Sequence, residues 1–141
     1  MLDRKKGLYL KNAGVKGRGL FCTSNIKADE ELEVTPALIM NDKDNAHTDK
    51  TMLLNYVFTT GKISKRLRER AKITDMDKTS CIVMGIASFC NHDQNPNAEV
   101  VWEERSGTLY YILRATRRIP KDTEICTSYG ETWFDERNQV L

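Results

Sequence analysis

The chain has 141 residues and a mass of 16.2 kDa, with 22 Lys and Arg against 20 Asp and Glu, a net charge of +2. That length suits one domain able to bury a core, and the near-neutral balance gives no global electrostatic case for a nucleic acid or an anionic membrane. No apolar run approaches the ~20 residues that span a bilayer, and "MLDRKKGLYL" lacks the apolar stretch of a secretory signal. An intracellular protein, cytoplasmic or nuclear and with no membrane partner, is therefore expected.

Short strand-like runs come first. "GLYLKN" and "GLFCTS" alternate in part and flank a glycine-rich stretch, and "EELEVTPALIM" continues in the same manner around Pro36. Residues 41–50, "NDKDNAHTDK", are polar throughout and read as a loop. "TMLLNYVF" fits a strand or a helix, since periodicity does not decide so short a run. "KISKRLRERAK", residues 62–72, combines helix formers with strong positive charge. "SCIVMGIASF" reads as a buried strand or helix, and "AEVVWEE" and "TLYYILRATR" bracket Arg105-Ser106-Gly107 as a hairpin. "TEICTSYG" adds a last short strand. Many short strands without a βαβ rhythm predict a mostly β domain of small sheets.

One internal echo recurs at an offset of 93 residues. Thr23–Leu32, "TSNIKADEEL", shares Thr, Ile, Asp and Glu positions with Thr116–Ile125, "TRRIPKDTEI". Either two strand-turn-strand units share composition by chance, or the chain contains a structural repeat.

The cysteines, Cys22, Cys81, Cys90 and Cys126, form no C-x-x-C pair, which argues against a zinc ribbon and favours free buried thiols. A hydrolase built on Cys90 and His92 fails because residues two apart on an extended segment align poorly and no third group orients them.

Three stretches carry chemistry only in combination. "GVKGRGLF" places Gly14, Gly17 and Gly19 close together, freeing the backbone for a tight turn, yet it is neither a Walker loop nor a full dinucleotide fingerprint. "SFCNHDQNPNAEVV" gathers Asn91, His92, Asn95, Pro96 and Asn97, amides able to donate and accept across a buried crossing. "EICTSYG" ends on Tyr129 beside Gly130, a ring that can pack while its hydroxyl points into a pocket.

In this order, Gly-x-Gly, Asn-His-x-x-x-Pro-Asn and Glu-Ile-x-x-x-Tyr-Gly resemble the SET-domain protein lysine methyltransferases over residues 7–134. The short form looks most like the minimal viral and bacterial members. The resemblance implies a mostly β, β-clip SET fold with several small sheets, few short helices and a C-terminal pseudoknot. It implies a single domain over 1–141, with about 41–80 as a variable insert bearing the basic helix and 131–141 as a short tail where longer members carry a post-SET region.

It also implies S-adenosyl-L-methionine as cofactor, held by Lys16, Gly17 and Arg18, by Asn91 and His92, and by Tyr129 and Trp133. Tyr129 and Tyr56 would be catalytic. Tyr56, Thr127 and Trp133 would meet the substrate lysine, and Phe134 would serve like Trp133. Thr127 stands where the family often has Phe or Tyr, a position that restricts how many methyl groups are added. Ser88, Cys90, Asp93 and Gln94 also depart from the common motif without removing Asn-His or Pro-Asn. Zinc-binding cysteines of longer members are missing, so no metal is expected. The implied partner is a protein or peptide with a target lysine, such as a histone in chromatin, met by a monomer or homodimer. The alternatives are an inactive SET-like peptide- or chromatin-binding module, and a nucleic-acid binder using Lys62, Lys65, Arg66, Arg68, Arg70 and Lys72. That basic run reads as a solvated helix face or as a surface for an acidic partner such as nucleosomal DNA.

Overall fold

The computed structural model describes residues 3–61, 63–74 and 78–128. In chain order, β1 (Asp3–Arg4) and β2 (Leu8–Asn12) lead through a single 3-10 turn, Gly14–Lys16, into β3 (Arg18–Cys22). β2 and β3 pair antiparallel with Leu10 opposite Leu20. β4 (Glu31–Ile39) follows, then α1 (Asp42–Thr48), a 3-10 turn (Met52–Tyr56), β5 (Val57–Thr60), α2 (Lys65–Ala71) and β6 (Thr79–Val83). A 3-10 turn (Ile86–Phe89), β7 (Asn91–His92), β8 (Ala98–Arg105), β9 (Thr108–Ala115) and β10 (Cys126–Thr127) complete the order.

The largest sheet runs β5-β6-β4-β9-β8, with β1 beside β4, and all its pairings are antiparallel. Period-two alternation divides β4 and β9 between two faces. Ala37, Tyr111 and Leu113 enter the main core with Leu20, Ile119 and Ile125, while Val34, Tyr110 and Ile112 form a second cluster. Two small sheets, β2-β3 and β7-β10, stand apart from it. The mostly β, small-sheet architecture expected from sequence is present.

Arg105 pairs with Thr108, so the hairpin turn is Ser106-Gly107 alone. Both adopt positive φ, 50° and 78°, the backbone that a two-residue turn needs to match strand twist.

The polar segment 41–50 is not a loop. It forms α1, started by the Asn41 side chain accepting from Asp44 N at 2.8 Å, with Asp42 and Asp44 in the first turn. None of its residues is buried, so no apolar stripe marked it in the sequence. "TMLLNYVF" divides into a 3-10 turn and the start of β5, because Thr51 Oγ1 accepts from Leu53 N and sets the turn. The basic helix forms as expected, with Ser64 capping Leu67 N and Lys72 closing it at φ 57°.

The internal echo is a structural repeat. Ile26 and Ile119 exchange both backbone hydrogen bonds, at 2.8 and 3.0 Å. Asp29 N donates to Ala115 O at 2.9 Å, and Asp122 N donates to Cys22 O at 2.7 Å. Asp29 and Asp122 both take left-handed backbone, φ 66° and 60°. Each unit thus closes its partner's turn, a two-fold arrangement that fixes β3 and β4 against the residues leading to β10.

Candidate active site

β10 is clasped from both sides. β7 lies parallel to it, Asn91 against Cys126 and His92 against Thr127, while Ile125 bridges back to Leu20. Asn97 locks the crossing: its Nδ2 donates to Glu124 O at 2.9 Å and its Oδ1 accepts from Cys126 N at 2.8 Å. Its backbone N–H also donates to Cys126 O at 3.2 Å. An asparagine suits this place because one amide mimics both halves of a peptide ladder. The clasp fixes β10 beside β7, and the chain from Tyr129 onward, where the expected pseudoknot would close, lies outside the described residues.

Beside the clasp opens a cleft of about 280 Å³, lined by Lys16, Gly17, Arg18, Asn55, Tyr56, Ser88, Phe89 and Asn91. Three distant parts of the sequence supply its walls. The first is the glycine turn, where Gly17 holds φ 79° and its carbonyl accepts from Ala13 N at 2.6 Å. A side chain would strain that backbone. Gly19 is constrained differently: a Cβ there would lie 2.6 Å from Glu124 Oε2 and 3.0 Å from the Ala13 Cβ. The first glycine of the pair is conformational, and the second makes room for a carboxylate.

Glu124 joins the parts. Its Oε2 accepts from Asn91 Nδ2 at 2.8 Å, and its Oε1 lies 3.3 Å from Lys16 Nζ. Asn91 Nδ2 also donates to Arg18 O at 2.9 Å. With both amide hydrogens committed inside the fold, Oδ1 is the group Asn91 can offer as an acceptor. Burial alone would lower the Lys16 ammonium. The Cys126 sulfur together with the Glu124 and Asp93 carboxylates outweighs that effect and holds its pKa above the usual lysine value, so it stays charged.

The second wall is Asn55 and Tyr56, at the end of the 3-10 turn Met52–Tyr56, and the third is the 3-10 turn bearing Ser88 and Phe89. It is pinned from below by Glu33, whose Oε1 accepts from Ala87 N at 2.9 Å and whose other oxygen pairs with Arg4 Nε at 2.5 Å. Phe89 meets Tyr56 edge to face at 5.9 Å, and the Arg18 guanidinium lies 4.9 Å above the Phe89 ring.

Of the sequence candidates, Lys16, Gly17, Arg18, Tyr56 and Asn91 come together at this cleft. His92 and Thr127 do not line it; they face each other one position further along β7 and β10. Thr127 is buried, and its carbonyl accepts from Asp93 N at 3.0 Å. Tyr129, Trp133 and Phe134 lie outside the described residues. Sequence reasoning overlooked Glu124, an acid opening an apolar strand, and Asn55 and Phe89, which neighbour named candidates. All four cysteines are free and buried. Burial pushes the Cys90 thiol far up, and it donates to Ile125 O at 3.1 Å, so it is no nucleophile. Among the described residues no cluster of three or more His, Cys, Asp or Glu is placed to hold a metal, and no helix is long and apolar enough to cross a membrane.

The SET domain pattern matches residues 17–130, most of the chain and every cleft-lining residue except Lys16. The chain belongs to the SET-domain family. With that membership comes its enzyme class, protein-lysine methyltransferase. A histone-lysine N-methyltransferase of Schizosaccharomyces pombe, specific for H3 lysine-37, is 27% identical over 133 residues, covering 92% of this chain and 78% of that protein. A solved Plasmodium falciparum protein described as a histone methyltransferase superposes with a TM-score of 0.65 at 24% identity, covering 92% of this chain and 98% of its own. The Neurospora SET-domain protein DIM-5, a histone lysine methyltransferase, gives a TM-score of 0.70 at 19% identity, over 91% of this chain and 54% of that one. These two likenesses establish the SET fold.

Proposed function

We propose that the protein transfers a methyl group from S-adenosyl-L-methionine to a lysine amine of a protein substrate, with a histone as the substrate class. The observation that carries this reading is the convergence of Lys16-Gly17-Arg18, Tyr56 and Asn91 on one cleft. The donor set suits an amino-acid-bearing nucleoside: a charged ammonium at Lys16, an acceptor at Asn91 Oδ1, open backbone at Gly17 and aromatic edges at Tyr56 and Phe89. Histone-directed relatives support the substrate class and a nuclear or cytoplasmic setting.

The bound cofactor supplies a sulfonium methyl that is already electrophilic, so the chain's task is to present a neutral amine in line with it. A free lysine has a pKa near ~10.4 and is protonated at neutral pH. The aromatic wall of Tyr56 and Phe89 disfavours the ammonium by desolvation, and no histidine base is then required. Tyr129, as the family's Tyr-Gly tyrosine, would orient the amine with its hydroxyl, and Tyr56 would add a second hydroxyl from the cleft lining. Trp133 would close the channel. Holding the nitrogen in an aligned pose can contribute several kcal/mol, on the order of ~7.

Two variants separate binding from turnover. Tyr129→Phe is expected to cut turnover at least ~100-fold while the cofactor Kd from calorimetry changes little. Asn91→Ala should weaken the cofactor complex itself by ~10-fold or more. Full activity in Tyr129→Phe would remove that residue from the reaction. No heat of cofactor binding by the unaltered protein would leave the inactive peptide- or chromatin-binding module as the reading.

A further inference from the structure

Helix α2 carries its charge in a way that fold stability does not explain. Lys65, Arg66, Arg68 and Arg70 lie within it, and Lys72 caps its end, against the single acid Glu69. Cations in the last turn complement the helix dipole, which accounts for Arg68 and Arg70. Lys65 and Arg66 occupy the first turn, where positive charge opposes it, and no acid is present there. Lys65 is 3.8 Å from Glu69, and Arg70 donates to Gly107 O at 3.5 Å. Arg66, Arg68 and Lys72 have no ion-pair partner among the described residues.

The platform beneath these cations is rigid. Leu67 and Ile63 are buried in the main core, and Ser64 N donates to Glu104 Oε2 at 2.9 Å, tying the helix to β8. Arg66 and Arg70, one helical turn apart, both lie beside the hairpin tip, within 4 Å of where a Gly107 side chain would begin. The acids nearby are already engaged: Glu104 accepts from Ser64, Glu103 pairs with Arg105 at 2.6 Å, and Glu69 neighbours Lys65.

We propose that α2 and the Ser106-Gly107 tip form a docking surface for the sugar–phosphate backbone of duplex nucleic acid. Guanidinium forks match phosphate oxygens, and a convex helix presenting them suits a phosphate ladder. None of the exposed large apolar residues lies on α2. The surface therefore lacks the anchor an interfacial membrane helix needs. It also lacks the aromatic platform that stacks single-stranded bases, since α2 contains no aromatic residue. None of the residues lining the cleft belongs to α2 or to the Ser106-Gly107 tip. The proposal stands whether or not the methyl-transfer reading does.

Fluorescence anisotropy with a short labelled duplex of arbitrary sequence, over a salt series, tests it. Four or five phosphate contacts predict a slope of log affinity against log salt near about −4. The triple variant Arg66→Gln/Arg68→Gln/Lys72→Gln should lower that slope by about 2 to 3 and weaken low-salt binding at least ~10-fold. Melting curves will establish that the variant is folded, and Arg66→Lys, which keeps the charge, should retain most of the affinity. No saturable duplex binding by the unaltered protein, an unchanged slope in a folded triple variant, or binding of a poly-glutamate peptide but not the duplex would each overturn the proposal.

Discussion

Two glycines of one short motif are fixed by different physics. Gly17 answers to its own backbone, at φ 79°. Gly19 answers to Glu124, whose carboxylate fills the space a methyl group would take. The requirement at Gly17 was legible, because Gly-rich turns announce unusual backbone. The requirement at Gly19 was not, because the carboxylate that imposes it arrives from the far end of the chain. A double-mutant cycle separates them. Gly19→Ala and Glu124→Ala should each weaken cofactor binding by ~10-fold, yet the pair together should be little worse than Glu124→Ala, since removing the carboxylate relieves the shortest contact and leaves only the Ala13 Cβ at 3.0 Å. The coupling should reach about 1 kcal/mol or more by calorimetry, and additive losses would show that the two positions act separately.

Among elements, the clasp on β10 carries the most consequence for its size. Asn97→Ala would strand a buried N–H at Cys126 and a carbonyl at Glu124, costing ~2–4 kcal/mol in urea unfolding. Asn97→Asp retains the acceptor but turns a carboxylate oxygen toward the Glu124 carbonyl, and should lose a similar amount. The sequence exposed this element well: Pro96 and its flanking asparagines are a rare combination, and their bracing role follows from amide chemistry. α1 was hidden for the opposite reason. With no buried residue it has no apolar rhythm, and only Asn41 and the acids after it signal a helix start. The 3-10 turn at Met52–Tyr56 was undecidable locally, since its bounds follow from the Thr51 cap and from pairing of β5 with β6.

At the scale of the whole molecule, the N-terminal strand is held partly by charge. Lys5 Nζ meets Glu30 Oε2 at 2.5 Å, and Lys27 N also donates to Glu30 at 3.1 Å. Burial tends to raise the Glu30 carboxyl, but the Lys5 and Lys27 contacts outweigh it and hold it below the usual value of 4.5. A carboxyl that binds its proton less readily in the fold than in the unfolded chain adds stability above its unfolded pKa, and loses it as pH falls. The gap in urea midpoint between the unaltered protein and Glu30→Gln should therefore narrow as pH falls from about 6 to about 3. A gap independent of pH would mean that Glu30 acts through packing alone.

The crossed pairing of the two repeat units also bears on how the molecule is made. Ile26 has no partner for this pairing until Ile119 has been synthesised, and the Cys22 carbonyl must wait for Asp122 in the same way. A nascent chain leaving the ribosome can form the β2-β3 hairpin early, but the junction that seals both units must await Ile119 and Asp122. Contacts of such long separation slow folding, so the rate-limiting event belongs to this seam rather than to any helix.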